Sequence, residues 1–524
     1  MTQPSHLDLS DRAALFGALE SRTFDLLVIG GGITGAGVAR DAAMRGLTVA
    51  LVEARDFASG TSSRSSKMIH GGLRYLAQGD FAVVREAASE RAILRRIAPH
   101  LARQSWFILP SPGVTSTAKL RAALWTFEKL GAVAREESHQ LWKPEELAAR
   151  EPLMRREGLH AVLAYPEYLT DDARLTLANV RSAQAHGAVV ANYLAVERIG
   201  SGEVLCRPTL PGEAGECRIR ARKVVNAAGP WVDQLRQIED GAAPAMLAQS
   251  RGIHLVVPHT RVPLRQVVVM NTPDKRSIFA VPLGAHTYIG TTDEFYPEPD
   301  YWPQVTAADV DYLLGTTRRA LDVGSLGAGD VVSVWAGLRP LVNQPGKSAK
   351  EISRKDEVWT GPTGMLSIAG GKLSAYRAMA ERVVDMVVAE LGGTARPCAT
   401  MAEPLPGGES GAGALAGLDA AAAERLARLY GAEAPALLAD GGDIAAEARR
   451  AVLVEGAQRL EDWWVRRSGR AWFDPAPAAA PAALATAAAA MAALLGWDGA
   501  RIAAEIANCQ AIDQASRAGL SEGN

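Results

Sequence analysis

The chain has 524 residues, more than one ordinary hydrophobic core can organise, so two or three domains are expected, with room to enclose a large cofactor. Its 56 basic and 58 acidic residues nearly balance, with a pI near 6.5, which excludes the basic footprint of a nucleic-acid binder and favours a small metabolite as partner. Cys206, Cys217, Cys398 and Cys509 are scattered without CxxC spacing, which argues against a disulfide framework, a metal site or a thiol redox pair and fits a reducing cytoplasm.

The first residues carry Asp8, Asp11 and Glu20 and no basic segment followed by an apolar one, so no secretory signal is expected there; the pattern predicts a short helix capped by Ser10. Phe24 to Ile29 is an apolar run of strand length, Ile33 to Arg45 reads as a helix ended by Gly46, and Leu47 to Val52 is a second buried strand. Together they form a βαβ unit that opens a nucleotide-binding sheet. Between strand and helix stands Gly30-Gly31-Gly32-Ile33-Thr34-Gly35, a G-x-G-x-x-G match in its required context. Gly30 permits the tight turn, Gly32 lets a pyrophosphate approach the backbone, Gly35 allows close helix-strand packing, and the helix N-terminus offers N–H groups to phosphate. Glu53 ends the second strand, where a carboxylate accepts hydrogen bonds from a ribose.

A stretch rich in Ser and Thr, Ser59 to Lys67, leads to a helix around Phe81 to Ile97, where Arg91, Arg95, Arg96 and Arg103 read first as a solvated face. Trp106 to Glu197 mixes strands and helices. Lys223 to Ala227 is a further buried strand. Runs at Ile253 to Val257, Gln266 to Met270 and Ser277 to Val281 predict an antiparallel sheet. Beyond the Gly/Pro-rich segment Met401 to Gly413 the sequence turns helical and rich in Ala. Pro475 to Trp497 is uncharged and long enough to cross a bilayer. Its alanines are only weakly apolar and Pro475, Pro477 and Pro481 interrupt it, so it reads as a linker running into a soluble helix.

The expected fold is α/β: a doubly wound, Rossmann-like dinucleotide-binding domain (20–110, 160–240, 330–395), an α+β substrate domain with an antiparallel sheet (111–159, 241–329) and an all-helical C-terminal domain (405–524).

FAD and NAD share the glycine fingerprint, and the choice comes from a resemblance. Thr61 to Leu76 (TSSRSSKMIHGGLRYL) resembles the signature of the FAD-dependent, aerobic glycerol-3-phosphate dehydrogenase family. Asn226 to Trp231 (NAAGPW), Gly290 to Asp293 (GTTD), Gly337 to Leu341 (GLRPL) and Gly370 to Ser374 (GGKLS) resemble further family segments in the expected order, with Ser374 keeping a hydroxyl where threonine is expected. The resemblance runs from Phe24 to about Glu381 and more loosely through the Ala-rich C-terminal helices. It implies FAD, held by Gly30, Gly32, Ile33, Thr34, Gly35, Glu53, Thr61, Ser62, Ser66, Lys67, His70, Gly229, Gly371, Lys372 and Leu373; no His or Cys stands in an obvious attachment context, so the FAD is expected to be non-covalent, and no metal is expected. It also implies oxidation of sn-glycerol 3-phosphate to dihydroxyacetone phosphate, by hydride transfer from C2 to flavin N5, with electrons passed to a quinone.

Residue types suit that reaction. A phosphate dianion calls for cations, and Arg74, Arg339 and Lys372 sit in glycine-flanked loops, with Tyr75 beside the first as a further substrate contact. The base that takes the hydroxyl proton is His70 or, as the rival, His254, with Arg339 assisting. A quinone acceptor implies a cytoplasmic protein that binds the inner face of the cell membrane, through the Arg91 to Arg103 group or through Trp463, Trp464, Trp472 and Phe473, unless these aromatics are core anchors. The C-terminal helices are expected to pack on the FAD domain or form a subunit contact. Alternatives left open are an oxidase that uses dioxygen, an FAD-dependent amino-acid oxidase, and a flavin-binding interaction module. The absence of an obvious long insertion between Gly290 and Gly370 speaks against the first, and the three cations against the other two.

Overall fold

Alternate side chains of β1 (Thr23–Ile29) face opposite ways and enter two different cores. Leu26 and Val28 pack with the helices α1 (Ile33–Met44), α4 (Asp172–Ala185) and α5 (Tyr376–Leu391). Leu27 and Ile29 pack against β8 (Leu194–Ile199), β9 (Glu203–Pro208) and β10 (Cys217–Asn226). The structure is a computed structural model that describes residues 6–521 apart from 71–80, 131–136, 275, 345, 347–351, 353–354, 394, 410–414 and 475–479.

The first sheet has the order β17 (Asp356–Thr360), β18 (Leu366–Gly370), β10, β1, β2 (Val49–Val52), β7 (Val189–Ala191), parallel from β18 to β7. Helices α1, α4 and α5 cover one face. The other is covered by strands, because β10 pairs with β9 over its first residues before running on beside β1. The expected doubly wound sheet is therefore realised with one helical layer and one β layer. The helix Arg12–Glu20 precedes it, and its N-cap is Asp11 rather than Ser10: the Asp11 carboxylate accepts from the Ala14 N–H at 2.9 Å.

The second sheet has ten strands and is mixed rather than antiparallel, since β4 (Arg103–Ser111) runs parallel to β12 (Val267–Asn271). β4, β6 (Ala161–Leu169) and β16 (Ser333–Val342) belong to it, although their segments were grouped above with the dinucleotide unit. Buried strands of either sheet look alike in sequence, and only their pairing separates them. α2 (Phe81–Ile97) and α3 (Val114–Leu130) lie in the chain on either side of β4.

The C-terminal helices pack on this second sheet. Trp335 of β16 lies 6.0 Å from Trp472, ring to ring, and the Ser333 hydroxyl donates to the Trp472 carbonyl at 2.7 Å. Trp463, Trp464 and Trp472 are buried, so they are core anchors and not membrane contacts. Arg91 is equally withdrawn, paired with Glu167 at 2.8 Å. Arg466 and Arg467 are buried on Asp56, which ties this region to the turn after β2. The Ala-rich helix Ala480–Leu495 buries Leu484, Ala487, Ala488 and Met491, and no described helix is long and apolar enough to cross a membrane.

Candidate active site

The turn after β1 is shaped by what its glycines leave out. Gly30 has φ +108°, and a Cβ there would stand 2.6 Å from the Ala227 carbonyl oxygen. A Cβ on Gly35 would stand 1.9 Å from the Gly30 carbonyl oxygen, so helix and strand approach more closely than any side chain permits. Gly32 is the N-cap of α1 and gives it no side-chain cap; the Ile33 N–H donates to the Ser62 hydroxyl at 2.9 Å, and Gly32, Ile33 and Thr34 line the cavity. The Glu53 carboxylate accepts from the N–H of Gly31 at 2.7 Å and of Arg55 at 2.9 Å. Burial pushes its pKa above the ordinary carboxyl range, against the lowering effect of those two bonds.

These residues line one end of a cavity of about 1530 Å³ that continues between the two sheets. Gly30, Gly32, Ile33, Thr34, Glu53, Thr61, Ser62, Ser66, His70, Gly229, Arg339, Gly371, Lys372 and Leu373 all line it. Arg74 and Tyr75 lie outside the described residues. Gly35 supports the turn from behind, and Lys67 and His254 do not reach the lining.

Lys67, expected at the cofactor, is not itself among the residues that line the cavity, although its partner Asp172 is. Its backbone is left-handed, φ +52°, and its buried ammonium meets Asp172 at 2.6 Å and the Ser63 carbonyl at 3.1 Å. A buried ammonium needs such a partner, and Asp172 supplies it from 105 residues away. His254, the rival base, is sealed behind Ser66, whose hydroxyl lies 2.8 Å from its Nε2. The ring stacks on Trp335 at 4.7 Å and fits because Gly290 has no Cβ, which would come within 2.2 Å of it. Its Nδ1 has no partner among the described residues. Burial, with Arg339 and Lys67 nearby, holds its pKa well below the ordinary imidazole value, so the ring is neutral.

His70 ends the described part of the signature, exposed on the cavity wall. Arg339 projects from β16, its guanidinium within 3.3 Å of Asp293 and the Thr292 carbonyl and 3.1 Å from the Thr291 hydroxyl. Lys372 follows Gly370 and Gly371, whose φ values of +81° and +76° turn the chain into the cavity.

Sequence reasoning missed Arg276, a further cation on the lining, and the apolar far end formed by Phe107, Leu109, Leu120, Tyr165 and Phe279. Nothing in the local sequence marks either. Thr291 and Asp293 also line the cavity; their GTTD segment had been noticed but given no role.

The FAD dependent oxidoreductase family matches residues 25–377, and the C-terminal domain of alpha-glycerophosphate oxidase matches 398–502. The aerobic glycerol-3-phosphate dehydrogenase of Bacillus subtilis (strain 168) is 39% identical over 502 residues, covering 88% of this chain and 90% of the relative. That of Staphylococcus haemolyticus (strain JCSC1435) is 38% identical, with 87% and 88% covered. The chain belongs to the FAD-dependent glycerol-3-phosphate dehydrogenase family. A solved structure of the glycerol-3-phosphate dehydrogenase from Bacillus halodurans complexed with FAD superposes with a TM-score of 0.80 at 34% identity, covering 98% of this chain and 99% of that one. L-alpha-glycerophosphate oxidase from Mycoplasma pneumoniae, 17% identical with a TM-score of 0.56 over 74% of this chain and 99% of that one, shares the fold.

The residues present fit the family's cofactor. The glycine turn admits a diphosphate to the backbone, Glu53 lies at the strand end where a ribose binds, and the cavity is long enough to continue past them to His70, Arg339 and Lys372.

Proposed function

We propose that this glycerol-3-phosphate dehydrogenase oxidises the C2 hydroxyl of sn-glycerol 3-phosphate to the ketone of dihydroxyacetone phosphate and passes the electrons to a membrane quinone. The observation that carries the reading is that Arg339 and Lys372 line the same cavity as the dinucleotide cradle. The cradle would hold FAD, whose flavin N5 would supply the acceptor for the C2 hydride. Arg339 and Lys372 hold the substrate phosphate, one by paired N–H groups and the other as a compact charge. Asp293 and the Thr292 carbonyl keep the guanidinium of Arg339 oriented for it. His70, open to the cavity, takes the hydroxyl proton.

His254 is a positioning residue: its neutral ring holds the Ser66 hydroxyl. Phe107, Leu109 and Phe279 keep water from the far end.

The test is an anaerobic titration of the FAD-loaded protein with sn-glycerol 3-phosphate, with lactate and glycine as controls, followed at the visible flavin band. Bleaching by glycerol 3-phosphate alone is expected; bleaching by glycine alone would replace this reading with amine oxidation. With a short-chain quinone and dioxygen offered in turn, reoxidation is expected to be faster with the quinone, and the reverse order would make the protein an oxidase.

A further inference from the structure

We propose that Arg466 and Arg467 are positioning residues for the cofactor: reaching in from the C-terminal region, they hold Asp56 and with it the turn that presents Glu53 to the adenosine half of FAD. The proposal rests on the reading of Glu53 as the ribose acceptor and gives the C-terminal region a part in it.

Asp56 is fully buried, and both of its oxygens are taken by arginines 410 and 411 residues further along the chain. Arg466 Nε donates to Oδ2 at 2.5 Å, and Arg467 forks across the carboxylate, donating to Oδ1 at 2.9 Å and also to Oδ2. In an α-helix successive side chains diverge by about 100°, which separates adjacent arginines. Asp462–Arg467 is instead a single turn of π-helix, in which the Ser468 N–H donates to the Trp463 carbonyl, five residues back, at 2.9 Å. The wider turn brings both guanidinium groups to one carboxylate.

The same turn of helix holds a second loop, the one after β7. Asp462 accepts from Arg466 Nη2 and from the Tyr193 hydroxyl, each at 2.6 Å. Tyr193 has a left-handed backbone, φ +52°, and follows Asn192, whose side-chain amide donates to the Gly456 carbonyl at 2.8 Å. The two loops are bound to each other as well: the Tyr193 N–H donates to the Arg55 carbonyl and the Leu194 N–H to the Glu53 carbonyl, both at 2.8 Å.

These loops build the nucleotide end of the cavity, which Glu53, Ala54, Leu194, Ala195 and Val196 line. Beside Glu53 the Ala58 N–H donates to the Gly31 carbonyl at 3.0 Å, and the Phe57 ring stands 2.6 Å from where a Gly31 Cβ would be. A shift of Asp56 therefore reaches both the ribose acceptor and the glycine turn. Charge acts in the same sense. Burial does most to raise the Glu53 pKa and the Asp56 charge adds to it, while Arg466 opposes both and favours the anion that accepts from a ribose.

Stability by itself does not account for such a network. Taking ions out of water offsets most of the gain from pairing them, so apolar residues of the same volume often do as well. What the arginines fix is geometry, and the geometry they fix is that of the two loops at the nucleotide end.

The experiment is equilibrium dialysis of the full-length holoenzyme against FAD, with ADP as a competitor for the adenosine half. In Arg467→Met, where Arg466 still neutralises Asp56, the Kd for FAD and the Ki for ADP are expected to rise together about tenfold, with kcat at saturating FAD within about twofold of wild type. Arg467→Lys, which keeps the charge, should recover most of the affinity. Combined with Glu53→Gln, the two losses should be less than additive, because one acts through the other. Full additivity, or unchanged FAD and ADP affinity in a variant that only melts earlier, makes the arginines structural and overturns the proposal. Glu53→Gln protein that binds FAD and ADP as the wild type does overturns the ribose reading and the proposal with it; a loss there with none in Arg467→Met strikes the clamp alone. If Arg467→Met does not fold, Tyr193→Phe decides, since it leaves every charge paired: both constants should rise about threefold, and no change overturns the proposal.

Discussion

The two ends of the cavity are built differently. At the nucleotide end the chain presents backbone: glycines with no room for a Cβ, helix amides, and a carboxylate pinned by two N–H groups. At the other end it presents side chains brought from β16, from the Gly370-Gly371 turn and from the end of the signature, of which Arg339 is held by Asp293 and Thr291. A backbone site is made by local conformation and fails as a unit. A side-chain site is made by tertiary pairing and fails one group at a time, leaving the cofactor in place.

The contrast is tested most severely at Gly35. Gly35→Ala places a Cβ 1.9 Å from a backbone carbonyl that cannot rotate away, so a loss of about 3 kcal/mol or more in stability is expected, together with loss of bound FAD. The flavin-to-protein ratio and the melting temperature read it, and a fully loaded, stable variant would break the comparison. Arg339→Met should lower kcat/KM for glycerol 3-phosphate about a thousandfold at unchanged flavin content if, as proposed, its charge binds the dianion. If flavin content falls in parallel, the two ends are not independent.

His70→Asn should slow anaerobic flavin reduction about a hundredfold or more while substrate still binds. An unchanged rate would remove His70 from the proton-accepting role. Glu53→Gln should weaken FAD binding about tenfold, by loss of charged acceptance from the amides and the ribose, with the turnover at saturating FAD preserved. Equilibrium dialysis of flavin against turnover separates the two.

A pH-dependent effect on stability belongs to neither end. Burial pushes His100 down to about 4, with the Arg174 charge adding to it, and His254 is depressed in the same direction. Above pH 6.5 both are neutral in the folded and unfolded chains. As pH falls from about 6.5 to 4 the unfolded chain takes up a proton that the folded one refuses at His100, so stability declines over that window, by up to about 3 kcal/mol from this group. His100→Asn should flatten the decline in melting temperature between pH 7 and 5 without altering FAD affinity; an equal decline would mean that other groups dominate it.

The nucleotide end was legible in the sequence because its requirements are local. A strand, three spaced glycines, a helix and an acid at the next strand end state their own geometry within about 30 residues. The C-terminal Ala-rich stretch was legible as a non-spanning helix for a similar reason, since composition and proline spacing are properties of the segment itself.

Other expectations met long-range partners that no local pattern announces. Lys67 is drawn to Asp172, His254 is closed in by Ser66 and Trp335, and Arg276 reaches the lining from β12's hairpin with β13 (Ser277–Leu283). The tryptophans near 463–472 went to the core, and the exposed tryptophan proved to be Trp125 on α3. Sequence by itself determined the βαβ cradle and, through its ordered motifs, the family. Which cations reach the cavity, which histidine is open to it and which aromatic faces solvent were decided by the tertiary structure, because burial and ion pairing depend on residues that can stand tens to hundreds of positions away, whereas a glycine turn depends on its own backbone.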